Sequence, residues 1–375
     1  MDLALTEDQL ALQESVRDVL QRECPMTLVR RVVEEGKDTD ELWNRMVELD
    51  WPALMVPEEH GGLGLGFVEV AVVAEQLGYV LAPAPFQATA VQFVAAVAAA
   101  GNAEQRERFL GGVARDGVVG TLALAEAAGS FDPARVAAAA TRDGDGWVIS
   151  GEKHFVFDGA RAEEIVVAAR VAGSQGDEGL ALFVVPQAQV TAEPMMNLDA
   201  SRGYATVVVD LARVGADRVL GEPGAMAPVL WRIAQEATTA LAVELVGTCQ
   251  AIFDIVKAYV SEREQFGVKV GSFQAVKHKL ANMYVALESA RAAAYFAAAA
   301  IAESDERRDV AVAVAKASSG DCQKLVAQEG IQLLGGIGYT WEHDMHLYVK
   351  RAKASAALFG NAGEHLATVA RLIGL

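Results

Sequence analysis

The chain is short of basic residues, of cysteine and of long apolar runs. Lysine and arginine number 32 against 50 aspartates and glutamates, a formal charge of −18 over 375 residues. A surface of that sign repels nucleic acid and anionic membrane, so neither is expected as a partner. A polyanionic cofactor can still be held if the few basic residues gather locally. Cys24, Cys249 and Cys322 are odd in number, far apart and without metal-type spacing. A disulfide framework or a metal site is therefore not expected, and a reducing compartment fits. Met1 to Glu7 show no basic segment leading into an apolar one, so no signal peptide is expected. Runs such as Ala90 to Ala100 are too short to span a bilayer. A soluble, cytoplasmic protein is the expectation.

The hydrophobic fraction is 52% with 22% charged residues, the balance of a folded globular chain. Its length calls for two or three domains. Much of the apolar content is alanine, which favours close helix packing, as in Ala292 to Ala300. No internal repeat or low-complexity linker is apparent.

Periodicity divides the chain in three. Residues 1–118 read as helices, with Thr6 as N-cap of a helix carrying Leu10, Leu12, Val16 and Leu20. A glycine-rich loop, Pro57 to Gly66, interrupts them, and helix resumes near Val68. Residues 119–222 read as short strands, at 118–124, 147–150, 164–169, 180–185 and 204–209, with Asp143-Gly144-Asp145-Gly146 as a hairpin turn. Strands without intervening helices predict an antiparallel sheet or barrel and not a parallel doubly wound sheet. Residues 223–375 read as long helices. The predicted fold is α+β: helical domain, β domain, helical bundle.

Four stretches now become specific: Val56-Pro57-Glu58-Glu59-His60-Gly61-Gly62-Leu63-Gly64-Leu65-Gly66; Gly151-Glu152-Lys153-His154-Phe155-Val156-Phe157; Arg263-Glu264-Gln265-Phe266-Gly267 with Ser272-Phe273-Gln274-Ala275; and Gln332-Leu333-Leu334-Gly335-Gly336-Ile337-Gly338-Tyr339. In order and separation they resemble the acyl-CoA dehydrogenase flavoproteins over essentially the whole chain, and in particular subunits of heteromeric members. The resemblance implies a helical domain, a β domain and a C-terminal four-helix bundle, with FAD as cofactor and an acyl-CoA as substrate. It also implies an oligomer, commonly a dimer of dimers, in which the last two stretches reach the FAD of a neighbouring subunit. An electron-transfer flavoprotein is the implied electron acceptor. The chemistry suits the residue types. A pyrophosphate needs close backbone approach, as at Gly335, Gly336 and Gly338, and a charge-assisted contact such as Arg263 supplies. Arg263, Phe266, Phe273, Gln274, Gln332, Gly335 and Gly336 are the implied cofactor contacts in this half of the chain.

In the middle third, Leu122 to Asp132 stand at the family's flavin-facing strand. Leu124, Ala125, Gly129 and Ser130 are the implied contacts there, with Phe155 and Phe157 on the next strand. The family's threonines are Ala125 and Phe157, and its shielding tryptophan is Phe155. Two hydroxyl hydrogen bonds, each worth roughly 0.5–1.5 kcal/mol, are thus lost. The larger departure concerns the base. Removing the Cα proton while hydride leaves Cβ needs a carboxylate beside Cα. The family's glutamate, counted from Gly338, falls at Phe359, before Gly360. Its alternative position falls at Ala237, followed by Thr238 where an arginine is usual. Phe359 cannot take a proton, although its main-chain N–H can still meet a thioester carbonyl.

Glu236 and Glu244 flank the alternative position. Glu236 lies about 100° around the helix from Ala237 and is expected on a solvated face. Glu244 sits in an apolar run, where it is either a base of raised pKa or a buried carboxylate paired with an arginine or lysine. The polar cluster Trp341-Glu342-His343-Asp344 and His346 is expected to form a structural network and not a metal site. Two functions follow: an FAD-dependent acyl-CoA α,β-dehydrogenase using Glu244 or Glu236 as base, or a non-catalytic subunit completing the FAD site of a heteromeric enzyme for fatty acid or sterol side-chain breakdown. A divergent flavoprotein acting on carrier-tethered acyl groups is a third.

Overall fold

A computed structural model describes residues 4–36 and 39–375. The expectation drawn from the N-terminus rests partly on Met1 to Leu3, which lie outside the described residues. Helix α1 (Glu7–Glu23) starts where expected: Thr6 Oγ1 accepts from the Gln9 N–H at 3.2 Å and Thr6 N–H donates to Gln9 Oε1 at 3.0 Å, a reciprocal cap. Its buried face is Val16, Val19 and Leu20, whereas Leu10 is 51% exposed, so the apolar stripe is shorter than the sequence suggests. Helices α2 (Met26–Glu35) and α3 (Asp40–Glu48) follow. The glycine loop then turns back at Gly61 and Gly64, both at positive φ, into α4 (Phe67–Tyr79). A π-helical stretch (Gln87–Phe93) leads into α5 (Val94–Ala100), and two short helices, α6 (Ala103–Gln105) and α7 (Gly111–Asp116), end this part.

Eight strands form one sheet: β1 (Gly120–Ala123), β2 (Ala139–Asp143), β3 (Gly146–Phe157), β4 (Glu164–Val171), β5 (Leu180–Pro186), β6 (Thr191–Pro194), β7 (Tyr204–Val214) and β8 (Val219–Gly224). Their order is β6-β7-β3-β2-β4-β5-β8, with β1 beside β4. The Asp143–Gly146 turn closes the β2–β3 hairpin, with Asp143 opposite Gly146. Most neighbours are antiparallel, but β1–β4 and β2–β4 are parallel, so the sheet is mixed. The cause is local. Strand β3 folds back on one side of β2, and β4, running the same way as β2, takes the other side. The β2–β3 hairpin also supplies the crossover length that a parallel β1–β4 pair needs.

After β8 come α8 (Ala227–Glu262), a two-strand hairpin of β9 (Glu264–Gln265) and β10 (Val268–Lys269), α9 (Gln274–Ala302), α10 (Arg308–Leu334), α11 (Met345–Ala357) and α12 (Ala362–Leu372). The chain forms two compact units. One holds the described residues within Asp38–Gly66 and Pro83–Ala237, the other those within Met1–Lys37, Phe67–Ala82 and Thr238–Leu375. The sheet unit has a core built from α5, the sheet and the start of α8, including Phe93, Phe109, Leu122, Val166, Leu182, Leu220 and Leu230.

In the helical unit α4 and α8 touch through glycines. A Cβ on Gly247 would lie 1.9 Å from the Glu75 carbonyl oxygen, and one on Gly78 2.0 Å from that of Glu244. Only glycine permits that approach. Ala294 and Ala297 to Ala300 are buried on α9, as close helix packing requires. Helices α8 and α9 are long and apolar enough to cross a membrane, unlike the shorter runs noted in the sequence. In α8, 83% of the apolar window is buried inside the fold, which marks a core helix.

Candidate active site

In the sheet unit the ends of β1 and β3 carry the flavin-facing candidates. Leu124 and Ala125 are buried just beyond β1. The Ala125 carbonyl accepts from the His154 N–H at 2.9 Å, and the Leu124 carbonyl from Lys153 Nζ at 3.3 Å. Lys153 is fully buried and donates to Glu126 at 2.7 Å, while the Glu126 carboxylate also accepts from the N–H groups of Ala137 and Ala138. These contacts tie the 125–138 loop to β3. Burial pushes the Lys153 ammonium down to about 8 against the pull of Glu126. Burial alone would raise the Glu126 carboxyl, but Lys153 and the two N–H donors outweigh it and hold the group below its ordinary value.

Gly129 stands at φ +68, and a Cβ there would meet the Phe155 ring at 3.5 Å. Ser130 Oγ accepts from the Asp132 N–H at 3.2 Å. Phe155 itself has φ +53, a strained value for a bulky residue, and its N–H donates to Met195 Sδ at 3.3 Å. Phe157 is buried edge-to-face on Tyr204, with its carbonyl accepting from Thr121 Oγ1 at 2.7 Å. Thus Ala125, Gly129, Phe155 and their neighbours lie together. A cavity of about 440 Å³ is lined by Leu124, Glu126, Ser130 and Gly151.

In the helical unit Phe266 and Gly267 form the tip of the β9–β10 hairpin, both at positive φ (+56 and +78). Phe266 is 92% exposed and its ring meets that of Phe273 at 6.4 Å. Arg263 and Gln274, on either side, are exposed, as are Gln332, Gly335 and Gly336 at the end of α10. Gly335 adopts φ +65, ψ −140, and a Cβ on either glycine would meet nothing within 4 Å. The polar cluster beyond them is structural: Arg30 on α2 donates to Asp344 at 2.7 Å and to the carbonyls of Trp341 and Glu342 at 3.1 Å.

Phe359 follows α11 in a two-residue turn, with φ +53 there and +94 at Gly360. Its side chain is buried. His365 Nε2 lies 2.8 Å from the Phe359 carbonyl, which can only accept, so that nitrogen carries the proton. Lys316, buried on α10, donates to the carbonyls of Ser355 (3.2 Å), Ala356 (2.9 Å) and Gly360 (2.8 Å). Burial pushes Lys316 down to about 7, with Glu364 pulling it back up.

Glu244 is 2% exposed and takes an ion pair from Arg351 at 3.1 Å, the buried pairing that its apolar surroundings allowed. Glu236, in the sheet unit, is 4% exposed and paired with Arg232 at 2.8 Å. A solvated face for Glu236 is therefore incorrect: Ile233, Ala234 and Ala237 beside it on α8 are buried as well, so a rotation of about 100° from Ala237 leads to more protein and not to water. Lys316, and the pairing of Arg351 with Glu244, escaped the sequence, whereas His365 lies in the Asn361–His365 stretch that the family resemblance placed near the cofactor. A lone lysine in Val312-Ala313-Val314-Ala315-Lys316-Ala317 was the available signal, since small apolar neighbours leave no exposed face for it.

Three family models cover the chain: acyl-CoA dehydrogenase N-terminal domain over residues 6–116, middle domain over 121–214 and C-terminal domain over 229–374. The acyl-CoA dehydrogenase IpdE2 of Mycobacterium tuberculosis is 30% identical over 362 residues, 96% of this chain and 95% of that one. The chain belongs to the acyl-CoA dehydrogenase family. It is an oxidoreductase of that family, whose general reaction is FAD-dependent dehydrogenation of an acyl-CoA. Among solved structures, the Tcur3481–Tcur3483 steroid ACAD, as its G363A variant, is 30% identical with TM-score 0.87, covering 98% of each chain. Butyryl-CoA dehydrogenase from Megasphaera elsdenii shares the fold at TM-score 0.93 and 23% identity, covering 100% of both.

The residues present fit FAD. The main chain at Gly335 and Gly336 is open to close approach, and the exposed Phe266–Phe273 pair offers an aromatic surface beside Arg263. Gly129 leaves room against Phe155.

Proposed function

We propose that this chain is the base-deficient subunit of a heteromeric, FAD-dependent acyl-CoA dehydrogenase acting on a bulky, steroid-type acyl group. The carrying observation is the Phe359 turn: a buried phenyl ring stands where the family places its carboxylate. Glu244 and Glu236 do not fill the gap, because each is buried against an arginine. Their oxygens are engaged by those guanidinium groups inside the protein and are not presented to a substrate. The kinship with the Tcur3481–Tcur3483 steroid ACAD supports both the paired subunits and the substrate class.

FAD, when bound, accepts the hydride that leaves Cβ. This chain's residues bind and orient. Leu124, Ala125, Gly129, Ser130, Phe155 and Phe157 would hold the isoalloxazine side, with Phe155 shielding it from water. Arg263, Phe266, Phe273, Gln274, Gln332, Gly335 and Gly336 would meet the dinucleotide of a neighbouring subunit. The partner subunit brings the base, in a dimer of dimers, and electrons pass to an electron-transfer flavoprotein. The assembly works in the cytoplasm. Purification of the chain alone and with its natural partners tests this. A colourless chain that gains flavin and acyl-CoA oxidation on mixing is the expected result. A yellow homo-oligomer that oxidises acyl-CoA unaided sinks the proposal.

A further inference from the structure

The turn at the vacated base position is held by residues that no part of the reaction yet uses. Phe359 and Gly360 are consecutive positive-φ residues, a conformation that is strained for a bulky residue such as phenylalanine. Such strain persists only where the surroundings over-determine it. Here they do so from two helices. On α10, Lys316 is 1% exposed. Its single ammonium links the last turn of α11, through Ser355 and Ala356, to the Gly360 carbonyl beyond the turn. It thus caps α11, whose final carbonyls have no helical partner, and fixes the exit of the turn at the same time. On α12, His365 holds the Phe359 carbonyl. Asn361 then caps α12, its side chain accepting from Gly363 and Glu364 while its own N–H donates to Glu364. Gly320 on α10 brings this seam close, since a Cβ there would lie 3.1 Å from that of Ala362.

We propose that Lys316 is a positioning residue for the acyl thioester: with His365 as second anchor, it fixes the main chain of the Phe359–Gly360 turn against which the thioester carbonyl is placed. This rests on the acyl-CoA reading above. Lys316 touches neither substrate nor flavin. It acts through the turn. A rigid main chain is worth most to a ligand atom that must sit in one place, and a carbonyl oxygen is such an atom. A thioether in the same position makes no such demand.

Butyryl-CoA and S-butyl-CoA, which differ by that oxygen, separate the possibilities. Calorimetric titration uses the flavin-loaded assembly purified with its accompanying subunits. The wild type binds butyryl-CoA more tightly than S-butyl-CoA. Lys316→Gln and His365→Phe each reduce this preference about tenfold, the scale of one hydrogen bond, and leave S-butyl-CoA affinity unchanged. His365→Gln, which keeps an N–H donor, retains the preference. If Lys316→Gln does not fold, the two His365 variants decide. An unchanged preference in Lys316→Gln and His365→Phe overturns the proposal, as does equal weakening of both ligands, which marks a general structural role. A wild type without any preference also overturns the proposal, since no thioester carbonyl then rests on the turn. An assembly that oxidises no acyl-CoA, steroid-type ones included, overturns the acyl-CoA reading itself, independently of the variants.

Discussion

Replacing Arg351 with methionine withdraws the guanidinium from a carboxylate that is almost wholly enclosed. The pair is separated by 3.1 Å, with Arg351 and Glu244 at 1% and 2% exposure. At an effective dielectric of about 20, charges at that distance attract by about 5 kcal/mol. Much of this offsets desolvation, so the pair adds little beyond what a well-packed apolar pair would give. Removing one member is different. The carboxylate stays buried and loses the Arg351 charge, and the expected loss is about 3–5 kcal/mol. Glu244→Gln combined with Arg351→Met removes both charges and should recover most of that loss. Urea unfolding followed by far-UV circular dichroism reads the three variants against the wild type. A cost below about 1 kcal/mol for Arg351→Met, typical of an exposed pair, refutes the buried-pair account. The same variants bear on catalysis. Glu244→Gln should leave acyl-CoA-dependent flavin reduction intact in the folded assembly; lost turnover at unchanged stability would restore Glu244 as a base.

Three further outcomes are expected. If this is the base-deficient subunit proposed above, Phe359→Glu gives it a carboxylate and should raise the dye-coupled acyl-CoA oxidation of the chain, assayed with FAD added, about 10²-fold or more; unchanged rates argue against the position as the site of proton removal. Phe266→Ala, at an exposed hairpin tip, should leave the urea midpoint within about 0.5 kcal/mol yet lower the flavin retained through gel filtration, read as the ratio of visible to ultraviolet absorbance. The Glu126 carboxyl is held below its ordinary value, so its stabilisation is present above about pH 4.5 and is lost as pH falls through the lower folded value. Lys153→Met removes the charge responsible, so unfolding midpoints compared between pH 5 and pH 3 should fall less steeply in the variant than in the wild type.

Local signals carried most of the fold. The Thr6 cap, the glycine loop, the Asp143–Gly146 hairpin and the strand-rich middle third all depend on residues close together in sequence. The parallel β1–β4 pairing joins Gly120–Ala123 to Glu164–Val167, and no short-range pattern encodes it. The cofactor motifs stood out because glycine and aromatic residues at special backbone positions are conspicuous. Glu244 was legible as a pairing problem because a carboxylate in an apolar run has few solutions. Its partner was not, being more than a hundred residues away on α11. Glu236 was misplaced because helical angle gives direction but not what lies there. Lys316 was overlooked because its three acceptors are main-chain carbonyls, which leave no trace in side-chain identity.

The Phe359 turn has an implication for how such a chain can change over time. Its backbone shape is secured by Lys316, His365 and Asn361, none of which depends on the side chain at 359. The position is therefore a socket: the frame is maintained by neighbours, and the inserted group can be exchanged without rebuilding it. A lineage that loses the acid there keeps the frame, and a subunit can surrender one half of a shared task while remaining structurally interchangeable with a sibling that performs it. Division of labour between duplicated subunits then needs only a change of side chain.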